Sequence, residues 1–164
     1  MDSPHEQLRR VLQLALHSPY EGERAKAVAL LVQRMEREGV DLPDLDPSFR
    51  VADAENELRR RANLPYTFEV TLKSHEEALL FQGLLEQASA SATLIESHRL
   101  RCVASPAAKA ATEVQFEQQV LLLQRRLAEA QKQAMAEYQV RRRMLFMEVV
   151  EEVISSVAQK TGKI

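Results

Sequence analysis

The fold is decided by the last third of the chain, residues 107–160, which read AAKAATEVQFEQQVLLLQRRLAEAQKQAMAEYQVRRRMLFMEVVEEVISSVAQK. This stretch contains neither proline nor glycine, the two residues that most often interrupt a helix. Apolar side chains recur along it at spacings of three and four residues, the period of one helix face. The sequence therefore predicts one long amphipathic helix, or two helices that are nearly continuous.

The apolar pattern of this predicted helix changes phase once along its length. A first row follows a heptad pattern, and a second row continues after a shift. Helical throughout, residues 107–160 would span about 80 Å at 1.5 Å per residue. That length leaves two alternatives open, a bend near residues 138–143 or a straight helix that finds a partner. The first row is Phe116, Val120, Leu123, Leu127, Ala130 and Ala134, and the second is Phe146, Val150, Val153 and Val157.

The apolar surface of this helix is wider than a single helix–helix seam requires. One interpretation is that the N-terminal helices of the same chain cover it. The other is a coiled-coil-like homodimer, or a complex with another protein, formed through the same face. The residues predicted to self-associate are Phe116, Val120, Leu123, Leu127, Phe146, Val150 and Val153.

A cluster of arginines, Arg141–Arg143, marks the place where the two apolar rows meet. Arginines on a helix can contact nucleic-acid phosphates, so Arg141, Arg142 and Arg143, with Arg125 and Arg126, are candidate nucleic-acid contacts. The alternative is a solvated face with partners four residues away, such as Glu137 for Arg141.

Residues 1–41 are predicted to form a helical hairpin. Ser3-Pro4 is a typical helix start, and Gly39 is a typical residue to follow a helix end. Residues 42–65 are predicted to be a linker followed by a polar helix, which Asp46-Pro47-Ser48 would cap and which would run to about Arg61.

Residues 66–105 are predicted to form a strand, a helix and a second strand. Apolar and polar residues alternate after Pro65, and Ser74 with Glu77 predicts a capping box. Alternation resumes from Ile95 to Val103, so we expect two short strands flanking a helix, paired either parallel or antiparallel. Together with the long helix over 106–164, the fold class is α+β and predominantly α-helical.

The chain carries little of the chemistry that enzymes use. It has four histidines and one cysteine, Cys102, and no glycine-rich phosphate loop or nucleophile motif. His75 and His98 could serve a hydrolase only if a pocket brought one of them to a carboxylate. We therefore predict no catalytic residue, no metal site, no cofactor and no small-molecule substrate, and we expect Cys102 to be a small buried residue.

Charge and hydropathy limit the partners and the cellular location that we expect for this protein. The 22 basic and 24 acidic residues nearly balance, which disfavours a protein whose whole surface grips nucleic acid. No apolar run reaches the length of a membrane span, and Met1–Pro4 does not resemble the start of a signal peptide. We expect a cytoplasmic protein in a reducing environment, with no membrane partner.

A characteristic set of residues lies in the first helices: Leu8-Arg9-Arg10-Val11-Leu12-Gln13-Leu14-Ala15, Ser18-Pro19, Glu23, Ala25, Ala27, Leu30, Met35 and Gly39-Val40. With these residues, the segment 7–44 resembles the N-terminal helical hairpin of a family of bacterial, phage and plasmid proteins that have no established activity. The later order of strand, helix, strand and long helix is similar in outline. The resemblance implies an association with mobile genetic elements and supplies no catalytic residues.

These observations together predict a non-enzymatic interaction or structural protein. We expect it to self-associate through the C-terminal helix in a phage- or plasmid-related pathway. A nucleic-acid-binding regulator that uses the arginine cluster is the alternative.

Overall fold

A computed structural model describes residues 1–162 of the chain. Its contacts divide the chain into two compact units, Met1–Glu117 and a second unit that begins at Gln118. The fold is mostly helical with one small antiparallel sheet, which confirms the predicted α+β class. The elements are α1 (Pro4–His17), α2 (Glu21–Glu38), α3 (Leu42–Leu45), α4 (Ala54–Arg61), β1 (Tyr66–Thr71), α5 (His75–Gln87), β2 (Ser91–Glu96), β3 (Arg99–Ala104) and α6 (Pro106–Thr161).

The N-terminal hairpin forms as its end signals predict. Ser3 Oγ accepts a hydrogen bond from the Glu6 amide at 3.3 Å, and the Glu6 carboxylate accepts one from the Ser3 amide at 3.0 Å. This reciprocal pair satisfies amides that the first helical turn leaves free. At the other end of the hairpin, Gly39 adopts φ +64°, a left-handed conformation that glycine tolerates best.

The first hydrophobic core lies among α1, α2, α3 and α4. Arg24 of α2 links the ends of α1 and α4, because its guanidinium donates hydrogen bonds of 2.8 Å to the carbonyls of Ser18 and Ala62. The core residues of this cluster are Leu8, Leu12, Ala15, Ala27, Val28, Leu31, Leu42, Leu45, Phe49, Leu58, Ala62 and Leu64.

The predicted third helix does not begin at Asp46. The chain instead makes the short helix α3, then turns, and enters α4 only at Ala54. Asp46 uses its carboxylate to accept a hydrogen bond of 2.9 Å from the amide of Ser48, which stabilises a local turn. The turn places the Phe49 ring in the first core, where the Arg61 guanidinium lies 4.1 Å from the ring centre.

The sheet has three strands rather than the two expected, in the order β1-β3-β2 with both pairs antiparallel. The segment Ile95–Val103, predicted as one strand, turns at Ser97-His98, so that its first part belongs to β2 and its last part to β3. The hairpin buries Ala92 beside Cys102, and this packing extends β2 back to Ser91. The antiparallel alternative left open by the sequence is therefore the observed one.

The second hydrophobic core lies between the sheet, α5 and the beginning of α6. Ser74 caps α5 by accepting a hydrogen bond of 3.2 Å from Glu77. The Glu77 carboxylate accepts a hydrogen bond from the backbone amide of Lys73 rather than from that of Ser74. The predicted capping box is therefore only half formed. The Phe116 ring of α6 meets the Phe81 ring edge-on, with 5.6 Å between ring centres. The buried members of this core are Ala78, Phe81, Leu85, Ala92, Leu100, Cys102 and Ala104.

Helix α6 confirms the prediction of a long C-terminal helix. Ser105 starts it by accepting a hydrogen bond of 3.2 Å from the amide of Ala108, and the helix runs from Pro106 to Thr161. The structure describes all of residues 138–143 as helical, so the chain does not leave the helix where a bend had been considered. No helix within residues 1–162 combines the length and apolar character needed to span a bilayer.

Candidate self-association surface

The second unit consists, as far as Gly162, almost entirely of the later part of α6, and its apolar side chains are exposed. None of residues 118–162 is buried. Fifteen large apolar side chains between Leu121 and Val157 have exposed fractions of 40% to 66%. Isolated exposed apolar residues are common on proteins, but a continuous set of this size along one element is typical of an interaction surface.

One side of this helix carries what we call the valine face, defined as Phe146, Val150, Val153 and Val157. At 3.6 residues per turn these four positions fall within about 60° of one another. Phe146 is 66% exposed and Val153 is 57% exposed, while Val150 is half-buried. The predicted row of the C-terminal half is therefore a real, continuous and open face of the helix.

The opposite side of the same segment is polar. A shallow groove there is lined only by Glu148, Glu151, Glu152, Ser155, Ser156 and Gln159. The three glutamates, which we call the acidic segment Glu148–Glu152, lie at least about 120° from Phe146 around the helix axis. The C-terminal half of α6 is thus amphipathic, with a valine face and a back that water solvates well.

Two of the arginines flank the valine face. A second shallow groove is lined by Gln139, Arg142, Arg143, Phe146 and Met147, so these arginines share a side of the helix with Phe146. Arg141 points elsewhere, about 140° from Phe146 at the helical period. The cluster Arg141–Arg143 therefore has two members beside the apolar surface and one away from it.

The first apolar row predicted in α6 contributes partly to the second core and partly to the exposed surface. Phe116 lies in the first unit, where its contact with Phe81 covers part of its ring. Val120 is half-buried, whereas Leu123 and Leu127 are 48% and 59% exposed. Phe116 therefore already has a partner within the chain, and the exposed part of the predicted surface begins beyond it.

All five arginines named as nucleic-acid contacts are exposed: Arg125, Arg126, Arg141, Arg142 and Arg143. The described residues 1–162 give none of them an ion pair within 4.0 Å, and Glu137 is not within that distance of Arg141. Their guanidinium groups are free to meet an anionic partner.

The basic run at the end of α4, Arg59–Arg61, is paired. The Glu57 carboxylate forms ion pairs with Arg60 at 2.6 Å and with Arg61 at 3.0 Å. The hydrogen bond from Arg60, against a smaller opposing effect of burial, lowers the pKa of Glu57 from its usual 4.5 to about 2. Arg60 and Arg61 follow Glu57 by three and four residues, a spacing that places them on the same side of α4 as this shared glutamate.

The side chains with catalytic potential differ in their surroundings, because Cys102 is buried whereas His75 and His98 are exposed. Cys102 is buried as predicted, and burial raises the pKa of its thiol to about 11, which keeps it protonated at neutral pH. His75 and His98 are exposed, and their ring nitrogens hydrogen-bond to Ser97. Among residues 1–162 no three histidine, cysteine or acidic side chains gather in a metal-binding group.

Comparisons with protein-family models, curated proteins and solved structures found no match to this chain. The resemblance of residues 7–44 to bacterial, phage and plasmid proteins therefore stays a prediction. Function is therefore inferred from the geometry of the chain itself.

Proposed function

We propose that this protein is a non-enzymatic interaction protein that self-associates through residues 118–161 of α6. The observation that carries the proposal is the set of fifteen large apolar side chains that are 40% to 66% exposed along this segment. Burying apolar surface contributes about 25 cal/mol per Å², so covering this set would strongly favour association.

The low stability expected of an isolated helix supports the presence of a partner. An isolated helix gains little from its own hydrogen bonds, and in proteins most of its stability comes from packing of its apolar face. Residues 118–162 contain no buried residue on which this segment could rely. A partner that covers the valine face would supply that packing.

A second copy of the chain fits this segment by charge. Residues 118–161 contain seven cations and five glutamates, so neither sign dominates strongly. A strongly one-signed helix would repel its own copy, whereas a mixed one can be arranged to attract it. The proposal therefore commits to a homo-oligomer, in the reducing, cytoplasmic setting that a single buried cysteine favours.

Multi-angle light scattering on the full chain, with reductant present, tests the proposal. We expect a dimer or a small oligomer at about tens of micromolar protein, and dissociation when Val150→Glu and Val153→Glu are introduced together. The matched control is Ser155→Glu with Gln159→Glu, which adds the same two charges to the polar back of the same segment. A wild-type chain that is monomeric at this concentration would contradict the proposal.

A second candidate function is nucleic-acid binding, favoured by the five exposed arginines Arg125, Arg126, Arg141, Arg142 and Arg143. Fluorescence anisotropy with labelled double-stranded and single-stranded DNA tests it. We expect affinity that falls as salt rises and that weakens when Arg141–Arg143 are replaced by alanine. Absence of binding at low salt, or binding unchanged by these substitutions, would remove this candidate.

We also propose a phage- or plasmid-related setting, which only the resemblance of residues 7–44 supports. The genes that neighbour this one would test it. A neighbourhood without mobile-element genes in several genomes would count against it.

A further inference from the structure

We infer that each copy of α6 packs against two other copies at once, through two separate faces, so that the protein assembles as a tetramer. This inference rests on the proposed self-association and adds to it a second contact surface and the number of chains. One surface is the valine face. The other, which we call the leucine face, is defined as Leu123, Leu127, Tyr138 and Leu145.

The leucine face is a continuous and open row along the first part of the exposed segment. Its four side chains are 48% to 60% exposed, and at 3.6 residues per turn they fall within about 60° of one another. Ala130 and Ala134 continue the row between Leu127 and Tyr138, and small side chains allow a neighbouring helix to come close. The charged residue in this row, Arg141, has a long side chain that can extend away from a contact. The leucine face can therefore meet a helix along its whole length.

The leucine face and the valine face point in different directions. Their middles lie about 115° apart around the helix axis, and the valine face begins where the leucine face ends, at residues 145 and 146. A heptad contact drifts around a straight helix by about 20° every seven residues, which amounts to about 50° over the roughly 18 residues between the two middles. A single partner helix that follows one face therefore cannot reach the other.

Two groups of consecutive apolar residues also require more than one neighbour. Leu121, Leu122 and Leu123 are 40% to 54% exposed, and successive residues of a helix point about 100° apart. The same holds for the four residues Met144–Met147, which are 50% to 66% exposed. A helix that is apolar on several sides is typically packed on several sides. An assembly of two chains would cover one side and leave the others in water.

Each face is best matched in length by the same face of another copy. At 1.5 Å per residue, the leucine face extends over about 33 Å and the valine face over about 17 Å. A contact between a leucine face and a valine face would therefore leave half of the longer one uncovered. Two self-complementary contacts per chain, each with a different copy, give a tetramer as their smallest closed assembly.

The side chains of the valine face also favour more than two chains. In coiled coils, β-branched isoleucine at both core positions of the heptad shifts the preference from two strands to three or four. Val150, Val153 and Val157 follow one another by three and four residues, so they occupy both positions, and valine is β-branched like isoleucine. The composition of this face and the directions of the two faces thus favour the same outcome.

Light scattering on the full chain, with reductant present, counts the chains before and after each face is disrupted. We expect wild type at about tens of micromolar protein to have four times the mass of one chain. Leu123→Glu with Leu127→Glu should halve this mass, and so should Val150→Glu with Val153→Glu, because each pair places charge in one contact and leaves the other intact. All four substitutions together should give a monomer.

The matched control for the leucine face is Gln133→Glu with Ala136→Glu, which adds two charges to the same part of α6 at least about 115° from the middle of that face. The control for the valine face is Ser155→Glu with Gln159→Glu, on the polar back. Both controls should remain tetramers. Urea unfolding at low protein concentration should show that the first unit keeps its stability in every variant, since its cores contain none of the substituted residues.

The masses separate this inference from the proposal on which it rests. A wild-type assembly of two or three chains would overturn the tetramer and leave the proposed self-association standing, whereas a wild-type monomer would overturn both. A monomer from either single-face variant would show that one face carries the whole association, and a tetramer from either would show that its face takes no part. Each of these results would overturn the two-face arrangement, and dimers from both variants would support it.

Discussion

At the scale of single residues, Glu57 shows how much one carboxylate can organise at this surface. It forms ion pairs with Arg60 and Arg61, and Arg61 also donates a hydrogen bond of 2.7 Å to the Ser48 hydroxyl. Arg61 also covers the Phe49 ring of the first core. Glu57 therefore connects the end of α4 to the turn that replaces the predicted beginning of that helix.

Replacing Glu57 with glutamine should lower the free energy of unfolding by about 1 kcal/mol at pH 7, as expected for partly exposed ion pairs. Because its pKa in the folded chain is about 2 and its usual value is 4.5, the carboxylate stabilises the fold fully above about pH 5. This stabilisation is lost as the pH falls toward 2. Urea unfolding of both proteins at several pH values measures the difference.

The control for this prediction is Glu55→Gln, which removes a longer and more exposed contact with Arg59 at 3.5 Å. We expect a smaller effect that varies less with pH. A difference between wild type and the Glu57 variant that grows as the pH falls would contradict the argument, because a lowered pKa can only produce the opposite trend.

At the scale of elements, the serine-capped helix starts were predictable, whereas the beginning of α4 and the β2–β3 hairpin were not. The hydroxyls of Ser3, Ser74 and Ser105 each accept a hydrogen bond from the amide three residues later. Their capping roles can therefore be predicted from a short window of sequence. The turn at Ser97-His98 has none of the usual hairpin residues, glycine, asparagine or aspartate. β2 and β3 are fixed instead by pairing with one another and by burial against α5, which no short window contains.

Beyond Phe116 the predicted apolar residues of α6 are exposed or half-buried, but the sequence could not assign them to a partner. A heptad pattern shows which residues form an apolar row and not what covers them. Phe116 and Leu123 belong to the same predicted row, yet one meets Phe81 within the chain and the other is 48% exposed. The acidic back of α6 was overlooked, although the spacing of Glu148, Glu151 and Glu152 places them on one side.

This division within α6 predicts opposite effects for two similar substitutions. Phe116→Ala should lower the free energy of unfolding by about 2 kcal/mol, because it leaves a cavity beside Phe81. Its oligomeric state should stay that of wild type. Leu123→Ala should leave the unfolding of the first unit nearly unchanged and weaken self-association instead.

Chemical unfolding at low protein concentration and light scattering at high concentration separate the two effects. If Phe116→Ala dissociated the oligomer without lowering stability, Phe116 would belong to the self-association surface rather than to the second core. If Leu123→Ala altered stability alone, the N-terminal half of the exposed surface would not take part in self-association.

At the scale of the whole molecule, the chain separates into a part with hydrophobic cores and a part with an open apolar surface. Both core clusters lie within residues 8–116, which the first unit contains. The fifteen exposed apolar side chains lie from Leu121 onward. Folding of the first unit and association through the second are therefore expected to be separable by truncation.

A chain that ends after Gln119 keeps Phe116 and every buried residue, so we expect cooperative unfolding and a monomer at all concentrations. The full chain should remain an oligomer whose apparent stability rises with protein concentration, since association stabilises the folded state by mass action. Light scattering and urea unfolding of both chains at two concentrations measure this. A truncated chain that still oligomerises would move the interaction surface into the first unit.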